Sequence, residues 1–206
     1  MNSLVTMAQA LGIAYASGIN LYATVALVGL TQRAGWIGPL PGALEPLQSW
    51  WIIALALVLY AFEFTATLVP GIASLWETFS TAVRPPAAAA LAVLTAWQGD
   101  ALFVAAAALL GGGLALTTHA TKLGVRYAID TSPEPVTNAG ANAVELGIVA
   151  SVAYFIWEHP FIALAAALGL LVGLIIAVRL VWRALKRAFT GHWARLREER
   201  PSTAAP

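Results

Sequence analysis

The sequence predicts an all-α, polytopic membrane bundle of about six membrane segments with interrupted or re-entrant helices, and three observations carry that prediction. Of 206 residues, 60% are hydrophobic and only 10% charged, against roughly 25% charged in an ordinary soluble domain. That excludes a soluble enzyme. Several apolar runs approach the roughly 20 residues a helix needs to cross a hydrocarbon core about 30 Å thick. The near-neutral net charge of +1 hides a gathering of basic residues between Arg179 and Arg200, which reads as a tail and offers no face for nucleic acid. The chain divides accordingly into a transmembrane domain over 1–182 and a basic cytoplasmic tail over 183–206. No cysteine is present, so disulfides, thiolate metal sites and cysteine nucleophiles are excluded. No cofactor is expected, and the pattern neither requires nor excludes a metal.

The elements follow in order. Leu4 to Leu30 is the first apolar run, interrupted by Ser17, Gly18 and Asn20. It lacks the positive n-region of a signal peptide, so it reads as a retained helix. Trp50 to Val69 is the second, with Glu63 inside it. After Pro70 and Gly71, Ile72 to Val83 carries Trp76 and Glu77 and ends at Arg84, which suits a short interfacial helix. Pro85 and Pro86 then open an alanine-rich run to Trp97, too short to cross and therefore a half-span candidate. Ala101 to Thr118, interrupted at Gly111 to Gly113, Val136 to Trp157 and Phe161 to Trp182 complete the set.

Lysine and arginine favour the cytoplasmic side. Alternation back from an inside tail puts Arg84, Lys122 and Arg126 inside, leaves only Arg33 outside, and places both termini in the cytoplasm of a cell (inner) membrane. Tryptophans at or near the segment ends suit an interfacial belt.

Polar side chains inside a membrane cost about 2.5 to 3.5 kcal/mol each when charged and usually face a bundle interior or a water cavity. Tyr60, Glu63 and Thr67 share one helix face, as do Asn138, Asn142 and Glu145, and Ser17, Asn20 and Thr24. Ser17, Asn20, Glu63, Asn138, Asn142 and Glu145 are therefore the candidate solute-binding or coupling residues. His119, Lys122 and Arg126 form a cationic stripe, and with Arg84 they make a candidate anion-attracting group beside helix N-termini. Glu63 and Glu145 call for a partner, for which Lys122 or Arg126 is the evident choice. Thr137 or Asn138 is a fit N-cap for the next helix. The bland alternative is that polar side chains only hydrogen-bond neighbouring helices and glycines only permit close packing.

Ser17-Gly18-Ile19-Asn20-Leu21-Tyr22, Glu63-Phe64 with Pro70, Trp76 and Val83-Arg84-Pro85, and His119-Ala120-Thr121-Lys122 with Arg126, Thr131-Ser132-Pro133-Glu134-Pro135, Asn138 and Glu145 together resemble the bacterial integral-membrane family catalogued as domain of unknown function 4126. The resemblance implies a compact multi-spanning protein and brings no established activity. Family members tend to carry further charges around Thr67, Leu68 and Ala73 and an acidic pair at Glu145-Leu146, which this chain lacks.

The expected function is a small transporter or channel for an ion or small polar solute, because interrupted helices with polar stripes point to a midplane site. A membrane enzyme acting on a lipid-linked phosphate, with His119 as nucleophile or base, and a non-catalytic assembly subunit are the alternatives. The expected partners are the lipid bilayer, the solute and a second copy in a homodimer.

Overall fold

The computed structural model describes residues 2–130 and 135–169, with 172, 173, 176, 179, 183 and 186 beyond them; at 70, 71, 74, 125–130 and 135 it describes the backbone alone. The Thr131 to Glu134 element and most of the basic tail lie outside the described residues, as does the side chain of Arg126.

The described residues form α1 (Ser3–Arg33), a 3-10 turn (Glu45–Gln48), α2 (Trp50–Ala66), α3 (Pro70–Thr95), α4 (Ala101–Asp130), α5 (Pro135–Glu158) and α6 (Pro160–Gly169), with no strand among them. Three stretches, Ser3–Arg33, Ala101–Gly124 and Val136–Glu158, are long and apolar enough to cross a membrane. Large apolar side chains such as Leu55, Val58, Phe62, Leu102, Leu109 and Val144 are exposed on the outside of the bundle, while Glu63, Arg84, His119 and Lys122 are buried within it. This inversion of the soluble pattern is that of a helical membrane bundle.

The centre of the bundle is α1, buried without interruption from Ala10 to Thr24. Its helix breaks at Asn20, whose backbone is extended at φ −149° and ψ 103°. The Asn20 side-chain oxygen accepts from the Ala23 amide at 2.9 Å, the N-cap arrangement that starts a new helix. The two halves lead back to the same end of the bundle. Along the first half, Ala10 and Ala14 pack with Ala88 and Ala92 of α3, with Ala96 just past its end and with Ala107 and Ala115 of α4, and Ser3 and Thr6 border a cavity with Thr95, Ala96, Asp100 and Phe103. Along the second half, Val25 lines a groove with Ile52, Leu55 and Leu91, and Gly29 packs against Leu47 and Ile53. The loop that follows then bonds to the end of α3, Ala43 donating to the Leu94 carbonyl at 2.8 Å. The segment from Leu4 to Leu30 was expected to cross; it enters, turns at Asn20 and returns. From Ser3 to Asn20 the helix reaches about 25 Å into the bundle.

Two other expectations are corrected. The interfacial helix over Ile72 to Val83 and the half-span from Ala87 are one helix, α3, with Pro85 and Pro86 inside it. Breaking a helix in an apolar interior would strip partners from more backbone groups than two prolines do. Gly111 to Gly113 do not interrupt α4 either. A Cβ on Gly111 would lie 2.6 Å from the Ala92 Cβ, and one on Gly112 would lie 3.2 Å from that of Ala89. These glycines let α3 and α4 approach closely. Finally, α5 begins at Pro135, ahead of the expected caps at Thr137 and Asn138, and proline suits a first helical position because its missing donor would be unpaired there anyway.

Candidate functional site

Five helices deliver polar side chains to one place, the apex of α1. Asn20 comes from α1, Glu63 from α2, Glu77, Thr81 and Arg84 from α3, His119 and Lys122 from α4, and Asn142 and Glu145 from α5. Glu77, Thr81 and Arg84 are spaced i, i+4, i+7 and share a face of α3; His119 and Lys122 are one turn apart on α4, and Asn142 and Glu145 on α5.

Glu63 is the hub. Its Oε1 accepts from Arg84 Nη2 at 2.5 Å, from Lys122 Nζ at 3.0 Å and from Asn20 Nδ2 at 3.0 Å. Arg84 reaches further with Nη1, at 3.4 Å from Glu77 Oε2 and 3.0 Å from His119 Nδ1. Lys122 Nζ also lies 2.9 Å from Glu145 Oε2 and 3.5 Å from Glu77 Oε1. Three carboxylates thus share two cations. Arg84 is fully buried, Glu63 is 2% exposed, and Glu77 and Lys122 are 7% exposed; the Glu145 side chain, at 15%, is the most open of the five. Removing Glu63 or Arg84, the most deeply buried members, leaves an uncompensated buried charge, which costs about 3 to 5 kcal/mol.

His119 is buried and held on both nitrogens. Arginine has no acceptor, so Nδ1 accepts from Arg84 and carries no proton. Thr81 Oγ1 gives its own proton to the Glu77 carbonyl at 2.8 Å and accepts from His119 Nε2–H at 2.9 Å. A second branch ties α5 to α2: Asn142 Nδ2 donates to Thr67 Oγ1 at 2.9 Å and to the Phe64 carbonyl at 3.4 Å. At the apex, Thr24 Oγ1 donates to the Asn20 carbonyl at 2.8 Å.

Several buried polar atoms have no hydrogen-bond partner among the described residues. They include Glu63 Oε2, Arg84 Nε, Ser17 Oγ, Ser80 Oγ and Asn138 Oδ1. Asn138 and Ser17 are buried on the faces of α5 and α1 that also bear Asn142 and Asn20. Of the residues singled out from sequence, Asn20, Glu63, Arg84, His119, Lys122 and Glu145 come together in one network, with Asn142 one turn from Glu145 on α5 and bonded to α2, and the expected pairing of Glu63 and Glu145 with Lys122 is present. Arg84 and Lys122, expected to attract an anion, are instead bound to carboxylates. Glu77 and Thr81 were missed. Their signal was the i, i+4, i+7 stripe to Arg84, which is hidden once Arg84 is taken for the end of an interfacial segment.

The described residues contain no group of three or more His, Cys, Asp and Glu side chains arranged to hold a metal ion. The donor set here is carboxylate, hydroxyl and amide oxygen, with both cations among them.

The family model described as domain of unknown function (DUF4126) matches residues 7–180. The chain belongs to that family. The match covers the whole cluster and both halves of α1. No curated protein and no solved structure matches the chain.

Proposed function

We propose that the protein is a small membrane transporter or channel whose ion or small polar solute passes the buried carboxylates of Glu63, Glu77 and Glu145. One observation carries this reading: the apex of the broken α1, with its capped new N-terminus at Asn20, lies on an ion cluster drawn from α2, α3, α4 and α5. Membrane proteins that move solutes bring half-helix ends and intramembrane charges together at the site where the cargo rests. Ser17, Asn20, Asn138 and Asn142 supply the neutral polar ligands. Arg84 and Lys122 hold the carboxylates in position, and their engagement there favours a cationic cargo over an anionic one. Hydrolysis of a lipid phosphate would require the cations and His119 to be free, and they are committed to Glu63, Glu77, Glu145 and Thr81.

Under the same reading the end of the bundle towards which α4 runs from Lys122 to Arg126 faces the cytoplasm of the inner membrane. Exposed Trp36, Trp50, Trp51 and Trp97, with Asp100, mark the opposite end. Because α1 returns to the end from which it starts, the N-terminus belongs outside with them. This reading places the N-terminus outside, where the sequence led us to expect it in the cytoplasm.

The test is flux in proteoliposomes for wild type and Glu145→Gln, the variant at the most open carboxylate. The reading predicts movement of an ion or small solute that falls at least about tenfold in the variant while the melting temperature stays within a few degrees. Equal flux in both, or none for any solute class, contradicts it.

A further inference from the structure

Lys122 sits where a cation would. Its ammonium is encircled by oxygens of Glu63, Glu77 and Glu145 at 3.0, 3.5 and 2.9 Å. Hard oxygen ligands of this kind, carboxylates with hydroxyls nearby, suit small hard cations. A second, independent observation comes from atoms that Lys122 does not serve. Glu63 crowds all three of its donors onto Oε1, and its Oε2, on a residue 2% exposed, has no hydrogen-bond partner among the described residues. Ser17 Oγ, one turn before Asn20 on α1, and Ser80 Oγ, one turn from both Glu77 and Arg84 on α3, are also fully buried and unpartnered. An unpartnered buried oxygen destabilises the fold, and a bound cation removes that cost.

We propose that Glu63 binds an alkali-metal ion in competition with the Lys122 ammonium, which acts as the site's built-in competitor. This rests on the transporter reading and names its cargo or coupling ion. When the cation arrives at Glu63, the ammonium keeps its 2.9 Å contact with Glu145, so charge is exchanged between two carboxylates without baring Lys122. Arg84 stays in place. It holds Glu63 and Glu77 together, and His119 Nδ1 takes its remaining Nη1 contact. The groups facing Glu63 are Tyr22 from α1, Tyr60 on its own helix, Glu77 and Arg84 from α3, Lys122 and the neutral His119 from α4, and Glu145 from α5.

The competition makes opposite demands on two variants, which a purely structural ion pair does not. Lys122→Met removes the competitor and strengthens cation binding at least about tenfold. Glu145→Gln removes the ammonium's alternative partner, commits Lys122 to Glu63 and weakens cation binding by a similar factor. The experiment is the melting temperature of the full chain in detergent, titrated with LiCl, NaCl or KCl against choline chloride at constant ionic strength and pH 8. A ligand that binds only the folded state raises the melting temperature by mass action. Stabilisation by an alkali chloride over choline supports the site, and it must shift in opposite directions in the two variants. Should Lys122→Met fail to fold, the weakened response of Glu145→Gln against wild type still decides. Wild type indifferent to every alkali cation, or both variants shifted the same way, overturns the inference. If solute flux survives that result, the transporter reading stands without it; if flux is absent as well, both fall.

Discussion

Arg84 has the strictest surroundings in the molecule. Fully buried, it divides two terminal nitrogens among Glu63, Glu77 and His119, a fan that a planar guanidinium fits and a single ammonium does not. Arg84→Lys is therefore expected to lower stability nearly as much as Arg84→Met, by about 3 to 5 kcal/mol, measured by thermal unfolding in detergent; full stability in the lysine variant would refute that account of the hub. Much of this site was legible in the sequence, because a glutamate, an asparagine or a lysine inside an apolar run needs partners. Glu63, Asn20, Lys122, Asn142 and Glu145 stood out for that reason. Glu77 did not, since Trp76 beside it and Arg84 followed by two prolines imitate the edge of a membrane. Its partners sit on other helices, and no spacing along the chain displays them.

At the scale of elements, single residues decide the geometry. Asn20 both caps the second half of α1 and donates to Glu63. Losing a cap costs about 1 kcal/mol and losing a bond to a charged group about 1.5 to 3 kcal/mol. Asn20→Ala should therefore destabilise by about 2 to 4 kcal/mol, whereas Asn20→Asp, which keeps the cap, leaves an acid against Glu63 and should fare no better; a thermal melt of each checks this. Gly18 lies so close to α4 that a Cβ would fall 2.6 Å from the Ala115 carbonyl oxygen. The glycines of α4 make a sharper pair. Gly111→Leu should destabilise the fold by about 1 to 3 kcal/mol through overpacking against Ala92, while Gly113→Leu, with nothing within 4 Å of its Cβ, should leave the melting temperature unchanged. If Gly113→Leu instead converts a dimer to monomers in size-exclusion chromatography with light scattering, that face is the homodimer contact. The break at Ser17-Gly18-Asn20 was visible from polarity and small size. The continuity of α3 was not, because proline's local rule against helix interiors is outweighed only when the surrounding medium withholds other partners for the backbone.

For the whole molecule, the turn in α1 sets everything else. A straight helix of 31 residues would be about 45 Å long and would cross the membrane with length to spare; folded back at Asn20, it becomes a plug whose tip is the ion cluster. The sequence could mark the break but not the direction of the chain after it, which depends on the φ and ψ of Asn20 and on packing against α2 and α3. The side on which the N-terminus lies depends on that missing angle, which a count of helices does not contain.

The measurement that tests this account most directly uses the absence of cysteine. Ser3→Cys, Trp36→Cys and Gln98→Cys, each made singly at an exposed position, are treated in intact cells and in inverted vesicles with a membrane-impermeant thiol reagent. A returning α1 predicts that all three react from the same side, outside the cell under the positive-inside orientation. Reaction of Ser3→Cys from the side opposite to Trp36→Cys would mean that α1 crosses, and would remove the apex on which the proposed site is built.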